Sequence, residues 1–279
     1  MIEALSAPVA GSCPHIRQVT VQGGRARDGE RELVDEIIFS MGDVVSIVGP
    51  TGCGKTTLIN DIELFADLNT PSMRRVLING EPADSLDFEQ TRSPIALISQ
   101  HTNFLSDLPV EEFLRIHAKV RQDGDADRVI RETLDFANQL TGEPLILESP
   151  MTGLSGGQTR ALLIADAVII GNSPIILLDE IENAGIHRTR ALELLRGYRK
   201  IFIFVTHDPR IALLSDYRIV MRNGAVQKVL ATTADERKVV EEIKKLDDLL
   251  LDLRSRIRVG EQLTQAGLAE QLRAMGYVA

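Results

Sequence analysis

The sequence predicts an α/β fold: a mostly parallel sheet, an antiparallel β part, an inserted helical subdomain and a C-terminal helical tail. Three observations carry this expectation. Short, wholly apolar strands alternate with helical stretches, as parallel strands buried on both faces do. One of them, residues 44–48 (Val-Val-Ser-Ile-Val), runs into a glycine-rich turn at 49–57 and then a helix. From residue 234 onward, apolar residues recur at steps of four and three with charges between them, the pattern of a helical seam.

Taken in order, residues 1–14 read as a loose leader, because Pro8, Gly11 and Pro14 interrupt any regular element. Residues 16–21 alternate like a strand. Gly23, Gly24 and the charged stretch 25–31 make a turn before a second strand around 33–39. After the glycine-rich turn and its helix, residues 75–80 read as a strand closed by a turn, and 94–100 as a strand ending on Gln100. Residues 107–148 are helical, with Phe113, Ile116 and Val120 on one face and a break at Asp123-Gly124-Asp125. The core pattern then resumes as helix 156–170, strand 174–178, helix 188–196 and strand 201–206. Residues 217–221 and 225–230, joined by Arg222-Asn223-Gly224, read as a hairpin.

In the tail, Val239, Ile243, Leu246, Leu250, Leu253 and Ile257 form a coiled-coil-like seam ending near Gly260. Two uses are open to it. The stripe packs on its own domain or on a shorter helix after Glu261, or it pairs with a second copy.

Composition bounds the function. The chain has 279 residues, a formal net charge of −9 and 44% hydrophobic residues. That suffices for a large core, and the acidic balance gives no strong nucleic-acid signal. Its 2 cysteines offer no disulfide framework and fit a reducing compartment. No apolar run reaches the length of about 20 residues that a bilayer requires, and no basic-then-apolar secretory leader is visible. The expected location is the cytoplasm, or the inner face of a membrane through a partner.

The turn Gly49-Pro50-Thr51-Gly52-Cys53-Gly54-Lys55-Thr56-Thr57 matches G-x-x-x-x-G-K-[ST] between strand and helix, which places the fold among the P-loop NTPases. Its backbone N–H groups and the helix N-terminus form a cradle for phosphate. Lys55 reaches the outer phosphates, and Thr56 can ligate Mg²⁺. Residues 175–180 (Ile-Ile-Leu-Leu-Asp-Glu) are an apolar strand emerging into two carboxylates. Asp179 is suited to hold Mg²⁺ through water, and Glu180 to polarise an attacking water.

Leu154-Ser155-Gly156-Gly157-Gln158 makes a second phosphate-sized nest at a helix start. With it the chain resembles the ATP-binding cassette (ABC) ATPases, whose signature LSGGQ it carries letter for letter. The resemblance extends over about residues 16–231. It implies an ATPase domain at 1–231, a helical subdomain at about 107–170, and a helical extension at 232–279. It further implies that Gln100 senses Mg²⁺ and the γ-phosphate and that His207, in Thr206-His207-Asp208, contacts the γ-phosphate. Two copies, as a homodimer or an ABC heterodimer, would pack head to tail. Each ATP would then lie between the phosphate loop of one and Ser155 and Gly157 of the other.

The chain departs from that family in three places. No aromatic residue precedes Phe39, where the family stacks adenine, so Arg25 or Arg27 is the expected substitute. Residues 181–187 (Ile-Glu-Asn-Ala-Gly-Ile-His) differ from the usual Ser-Ala-Leu-Asp loop. Cys53 fills a variable loop position and is expected to be an inert small side chain. The function these features imply is Mg²⁺-dependent ATP hydrolysis, as the nucleotide-binding subunit of a transporter with a separate transmembrane polypeptide. A soluble ABC ATPase acting on a protein, metallocofactor or nucleic acid is the other reading.

Overall fold

A computed structural model describes residues 16–86, 93–99, 102–104, 106–121, 124–180 and 188–277. The expected leader, Gln100 and the atypical loop at 181–187 lie outside the described residues. The chain divides into two compact units between Ala231 and Thr232.

The first unit begins with β1 (Gln18–Gln22), β2 (Glu36–Ser40), β3 (Val44–Val48), α1 (Lys55–Glu63), β4 (Arg75–Ile78), β5 (Glu81–Pro82) and β6 (Ile95–Ile98). Next come α2 (Val110–Arg121), α3 (Ala126–Leu140), α4 (Gly156–Val168) and β7 (Ile175–Asp179). It closes with α5 (Arg188–Arg196), β8 (Ile201–Val205), α6 (Pro209–Leu214), β9 (Tyr217–Arg222) and β10 (Ala225–Ala231).

A four-stranded antiparallel sheet has the order β2-β1-β4-β5. A six-stranded sheet has the order β10-β9-β3-β8-β7-β6, parallel from β9 to β6, with β10 antiparallel on β9. The period of two along these strands divides the core. Ile176, Leu178, Phe202 and Phe204 face a helical layer built from α2, α3 and α4. Ile175, Leu177, Ile201, Ile203 and Val205 face α1 and the antiparallel sheet, meeting Leu58, Ile62, Val19 and Phe39. The six-stranded sheet is thus covered on both sides, which is why β7 and β8 read as continuous apolar runs. The β9–β10 turn carries Asn223 at φ 54 and Gly224 at φ 82, the left-handed pair that a two-residue hairpin demands.

One sequence expectation needs correction, and one helix went unread in the sequence. On α2 the buried stripe is Val110, Leu114 and Ala118, whereas Ile116 and Val120 are exposed. Phe113 sits at the boundary, its ring 5.0 Å from Phe104 and 5.4 Å from His117. The narrow Val110–Leu114–Ala118 face, one residue per turn at steps of four, enters the same core as Leu140, Ala161 and Ala165. The other miss is α6, whose start Asp208-Pro209 is a capped helix beginning: the Asp208 carboxylate accepts from Arg210 N–H at 2.8 Å.

The second unit comprises α7 (Ala234–Arg258) and α8 (Gln265–Ala274). Thr233 and Glu236 close a capping box at the start of α7. Polar ties join the helices along one flank of α7. Gln271 donates to Asp252 at 2.9 Å, Tyr277 Oη donates to Glu242 at 2.7 Å, and Arg256 holds Glu261 at 2.6 Å. The seam is left largely outside: Val239, Leu246, Leu250 and Ile257 are 48%, 41%, 50% and 58% exposed.

Buried Lys200 donates to Asn172 Oδ1 at 2.7 Å and to Ser173 O at 3.0 Å. Burial pulls its pKa from 10.5 down to about 8. The folded state therefore releases this proton first. Between about pH 8 and 10.5 the unfolded chain holds more protons, so stability rises with pH, by up to about 3 kcal/mol in total. Urea unfolding of wild type and Lys200→Gln across that window should show wild type gaining on the variant as pH rises, with a constant difference below pH 8.

Candidate functional site

The phosphate loop follows β3 directly. Gly54 caps α1 at φ 104, and no side-chain oxygen caps that helix start, so its first N–H groups face the concavity of the loop. A side chain at Gly54 would meet Gly224 Cα at 2.8 Å, on top of the positive φ. Gly49 is equally confined, since a Cβ there would lie 2.4 Å from Met221 O. Lys55 is buried and donates to Gly49 O at 3.0 Å and Pro50 O at 3.1 Å. Its charge is matched to no carboxylate among the described residues, which leaves it available to an anion in the cradle. An open depression of about 450 Å³ beside the loop is lined by Pro50, Thr51, Gly52, Cys53, Arg222 and Asn223. Thr56 is exposed in the first turn of α1, Thr57 is exposed beside it, and Cys53 is buried.

Asp179 ends β7 level with Val205 of β8, and Ile47 of β3 is level with the same Val205. Three strand ends therefore lie in one row at the carboxyl edge of the parallel sheet, where α/β sheets place their ligands. Beyond that row the chain turns sharply. Glu180 N–H donates to Val205 O at 3.0 Å, and Glu180 takes φ 49, uncommon for a side chain larger than Asn or Asp. That turn brings Glu180 Oε1 to 3.6 Å from His207 Nε2, both half-exposed. His207 is fixed from both sides. Thr206 N–H donates to Ile47 O at 3.3 Å, and Asp208 N–H donates to Thr206 Oγ1 at 2.9 Å. The predicted carboxylate and histidine thus form one pair.

The second nest stands elsewhere on the same unit. Ser155 caps α4 in a full capping box: Gln158 N–H donates to Ser155 Oγ at 3.3 Å, and Ser155 N–H donates to Gln158 Oε1 at 3.0 Å. Gln158 Nε2 is anchored on Pro144 O at 3.1 Å. Ser155 and Gly156 are exposed, while Leu154, Gly157 and Gln158 are partly so. Among the described residues, no hydrogen bond joins this segment to the phosphate loop.

Two supports escaped the sequence reading. Arg74, fully buried, donates to Glu32 at 2.6 Å, to Asp61 of α1 at 2.8 Å and to Gly224 O at 2.7 Å. Gly224 N–H in turn donates to Cys53 O at 2.7 Å. The hairpin turn is thereby clamped between Arg74 and the phosphate loop. Burial alone would weaken the arginine's charge, but the two carboxylates outweigh it and hold its pKa above the ordinary guanidinium value. Charged residues at 32, 61 and 74 carry no local pattern, so only the fold unites them.

The other support pairs the segment after Gln100 with the segment before the signature. Val110 N–H donates to Ser149 O at 3.0 Å, Glu111 N–H to Leu147 O at 3.0 Å, and Met151 N–H to Leu108 O at 3.0 Å. Thr152 Oγ1 donates to Asp107 at 2.7 Å. Of the two arginines expected near a base, Arg25 donates to Gly29 O at 2.9 Å, and Arg27 N–H donates to Asn223 O at 3.0 Å.

The profile of the ABC transporter family matches residues 36–183, a span that includes the phosphate loop, the signature and Asp179-Glu180. The chain belongs to the ABC transporter family. It is 47% identical over 255 residues to an uncharacterized ABC transporter ATP-binding protein of Methanocaldococcus jannaschii, covering 91% of this chain and 97% of that protein. To the sulfate/thiosulfate import ATP-binding protein of Vibrio vulnificus it is 29% identical over 237 residues, 81% of this chain but only 63% of that relative. The fold is similar to a dimeric ATP-binding cassette solved with ADP and phosphate bound, with a TM-score of 0.60 at 23% identity, covering 77% of this chain and 99% of the other. The protein is an ATP-binding, ATP-hydrolysing cassette.

The Arg74 clamp makes a direct prediction. Arg74→Ala strands two buried carboxylates, so unfolding free energy should drop by about 3–5 kcal/mol, measurable by urea denaturation. Nucleotide affinity should fall with it as the turn behind Cys53 loosens.

Proposed function

We propose that this cassette is a Mg²⁺-dependent ATPase that pairs head to tail with a second cassette, as a homodimer or an ABC heterodimer, and powers a transporter. The observation that carries the reading is the Glu180–His207 pair, 3.6 Å apart at the same sheet edge from which the phosphate loop departs. Residues 49–57 cradle the triphosphate, with Lys55 exchanging its loop carbonyls for the outer phosphates. Glu180 orients and deprotonates the attacking water, and His207 contacts the γ-phosphate beside it. Gln100 is assigned to sensing the γ-phosphate and the metal on the family resemblance.

The donor set fits Mg²⁺. Among the described residues, no group of three or more His, Cys, Asp or Glu could hold a metal. Mg²⁺ is typically held by few protein ligands, water and substrate phosphates. Thr56 Oγ1, Gln100 and, through water, Asp179 would hold it, and when bound it neutralises charge on the transferring phosphoryl group.

The signature is assigned to the nucleotide of the second cassette. A Cβ on Gly156 would meet only Arg160 Nη1, at 3.7 Å, so packing within the chain does not call for glycine there. Bare backbone at an exposed helix start suits close approach by a phosphate. The transporter role is supported by the names of the relatives. No helix among the described residues is long and apolar enough to cross a membrane. In this reading the spans are supplied by a separate polypeptide, with the cassette on the inner, cytoplasmic face.

Glu180→Gln should lower turnover by roughly 10²–10⁴-fold and accumulate an ATP-bound dimer on size exclusion with light scattering. Unchanged turnover would remove Glu180 from its role. Calorimetry of Lys55→Ala should show nucleotide binding itself weakened. Affinity purification from solubilised membranes should recover a membrane-spanning partner, and its repeated absence would overturn the transporter assignment.

A further inference from the structure

Strand order sets the direction in which a bound nucleotide lies. β7 and β8, which lead into Glu180 and His207, stand on one side of β3, while β9 and β10 stand on the other. With its γ-phosphate beside that pair, the nucleotide directs its nucleoside across the phosphate loop toward the β9–β10 turn. The open depression beside the loop includes this turn: Arg222 and Asn223 line it together with Pro50 and Cys53, and no aromatic residue does.

We infer that Arg222 and Asn223 hold and select the purine base, Arg222 by stacking on its face and Asn223 by accepting from the 6-amino group. Both roles rest on residues 49–57 cradling the triphosphate. Arg222 is exposed, and among the described residues its guanidinium makes no hydrogen bond or ion pair. A planar cation left open beside a nucleotide loop suits the face of a base. The two earlier arginines are otherwise engaged. The Arg25 guanidinium donates to Gly29 O at 2.9 Å. The Arg27 stem lies against the turn itself, since a Cβ on Gly224 would meet Arg27 Cγ at 2.9 Å.

Asn223 is oriented by its neighbour. Its Nδ2 donates to Asp28 Oδ2 at 2.6 Å. A carboxylate only accepts, so the amide is not reversible there and Oδ1 is kept as the acceptor at the rim. An acceptor held in this way takes the 6-amino group of adenine and opposes the 6-oxo group of guanine.

The test is calorimetry of the full chain with Mg²⁺ and three probes: the β,γ-imido analogues of ATP and GTP, and inorganic tripolyphosphate. Wild type should bind the adenine analogue about tenfold more tightly than the guanine analogue, the worth of one hydrogen bond. Arg222→Ala should weaken both analogues roughly 5- to 100-fold, the range of a lost base stack, and leave tripolyphosphate binding as it is. Arg222→Lys keeps the charge without the plane and should recover little of that loss. Asn223→Gly preserves the left-handed turn and should erase the adenine preference.

Loss of tripolyphosphate binding in Arg222→Ala, or full recovery with lysine, would make Arg222 a phosphate ligand and overturn the stacking role. Equal affinity of wild type for the two analogues would overturn the role of Asn223. Lys55→Ala separates these failures from failure of the phosphate cradle. Tripolyphosphate binding that survives Lys55→Ala sinks the cradle, whereas binding lost there but indifferent to the base sinks only the purine site.

Discussion

Everything catalytic in this molecule depends on the parallel register of three strands. Val205 of β8 stands level with Ile47 on one side and Asp179 on the other. A slip of one residue in either pairing would turn every alternate side chain to the opposite face and break both cores. The apolar runs of β3, β7 and β8 are therefore the device that aligns a phosphate loop, two carboxylates and a histidine along one edge. Hydrogen bonds from Thr206 to Ile47 and from Glu180 to Val205 extend that alignment one residue past the sheet. The left-handed backbone at Glu180 is where the chain leaves the ladder.

Around this edge the fold uses polar interactions sparingly and in buried places. Arg74 is the clearest case, because it neutralises one carboxylate from the β1–β2 connection and another from α1 while holding a carbonyl of the β9–β10 turn. Such a cluster gains little over an apolar core in net stability, but it tolerates no missing member. Its effect is to tie three segments distant in sequence to the back of the phosphate loop, whose glycines have no side chains with which to hold themselves in place.

Much of this was legible in the sequence. The strands at 44–48 and 201–206, the Asn223-Gly224 hairpin and the capped signature helix follow from local rules: alternation, turn chemistry and capping. Those rules act between neighbours. What they could not give was set by distant neighbours. The α2 stripe fell on Val110, Leu114 and Ala118 because that face meets the core shared with α3, whereas Ile116 and Val120, equally apolar, lie on an exposed face and spacing within one helix does not tell the two apart. Glu180 and His207 were each visible as strand-end residues, yet their proximity depends on a backbone turn that no local pattern announces. The Arg74 cluster spans residues 32 to 226 and has no periodicity at all.

The pairing of residues 107–111 with 147–152 has a consequence for how the fold can vary. The helical excursion between them departs and returns through one hydrogen-bonded gate. Its two ends are anchored to each other at the first turn of α2 and just before the signature. Residues added or removed at the far tip, near Gly124, would alter the reach of α2 and α3 without changing the distance between the strand that precedes them and the signature that follows. The excursion is thus a graftable module: a cassette of this design can be refitted for a different partner surface while its ATP machinery stays in place.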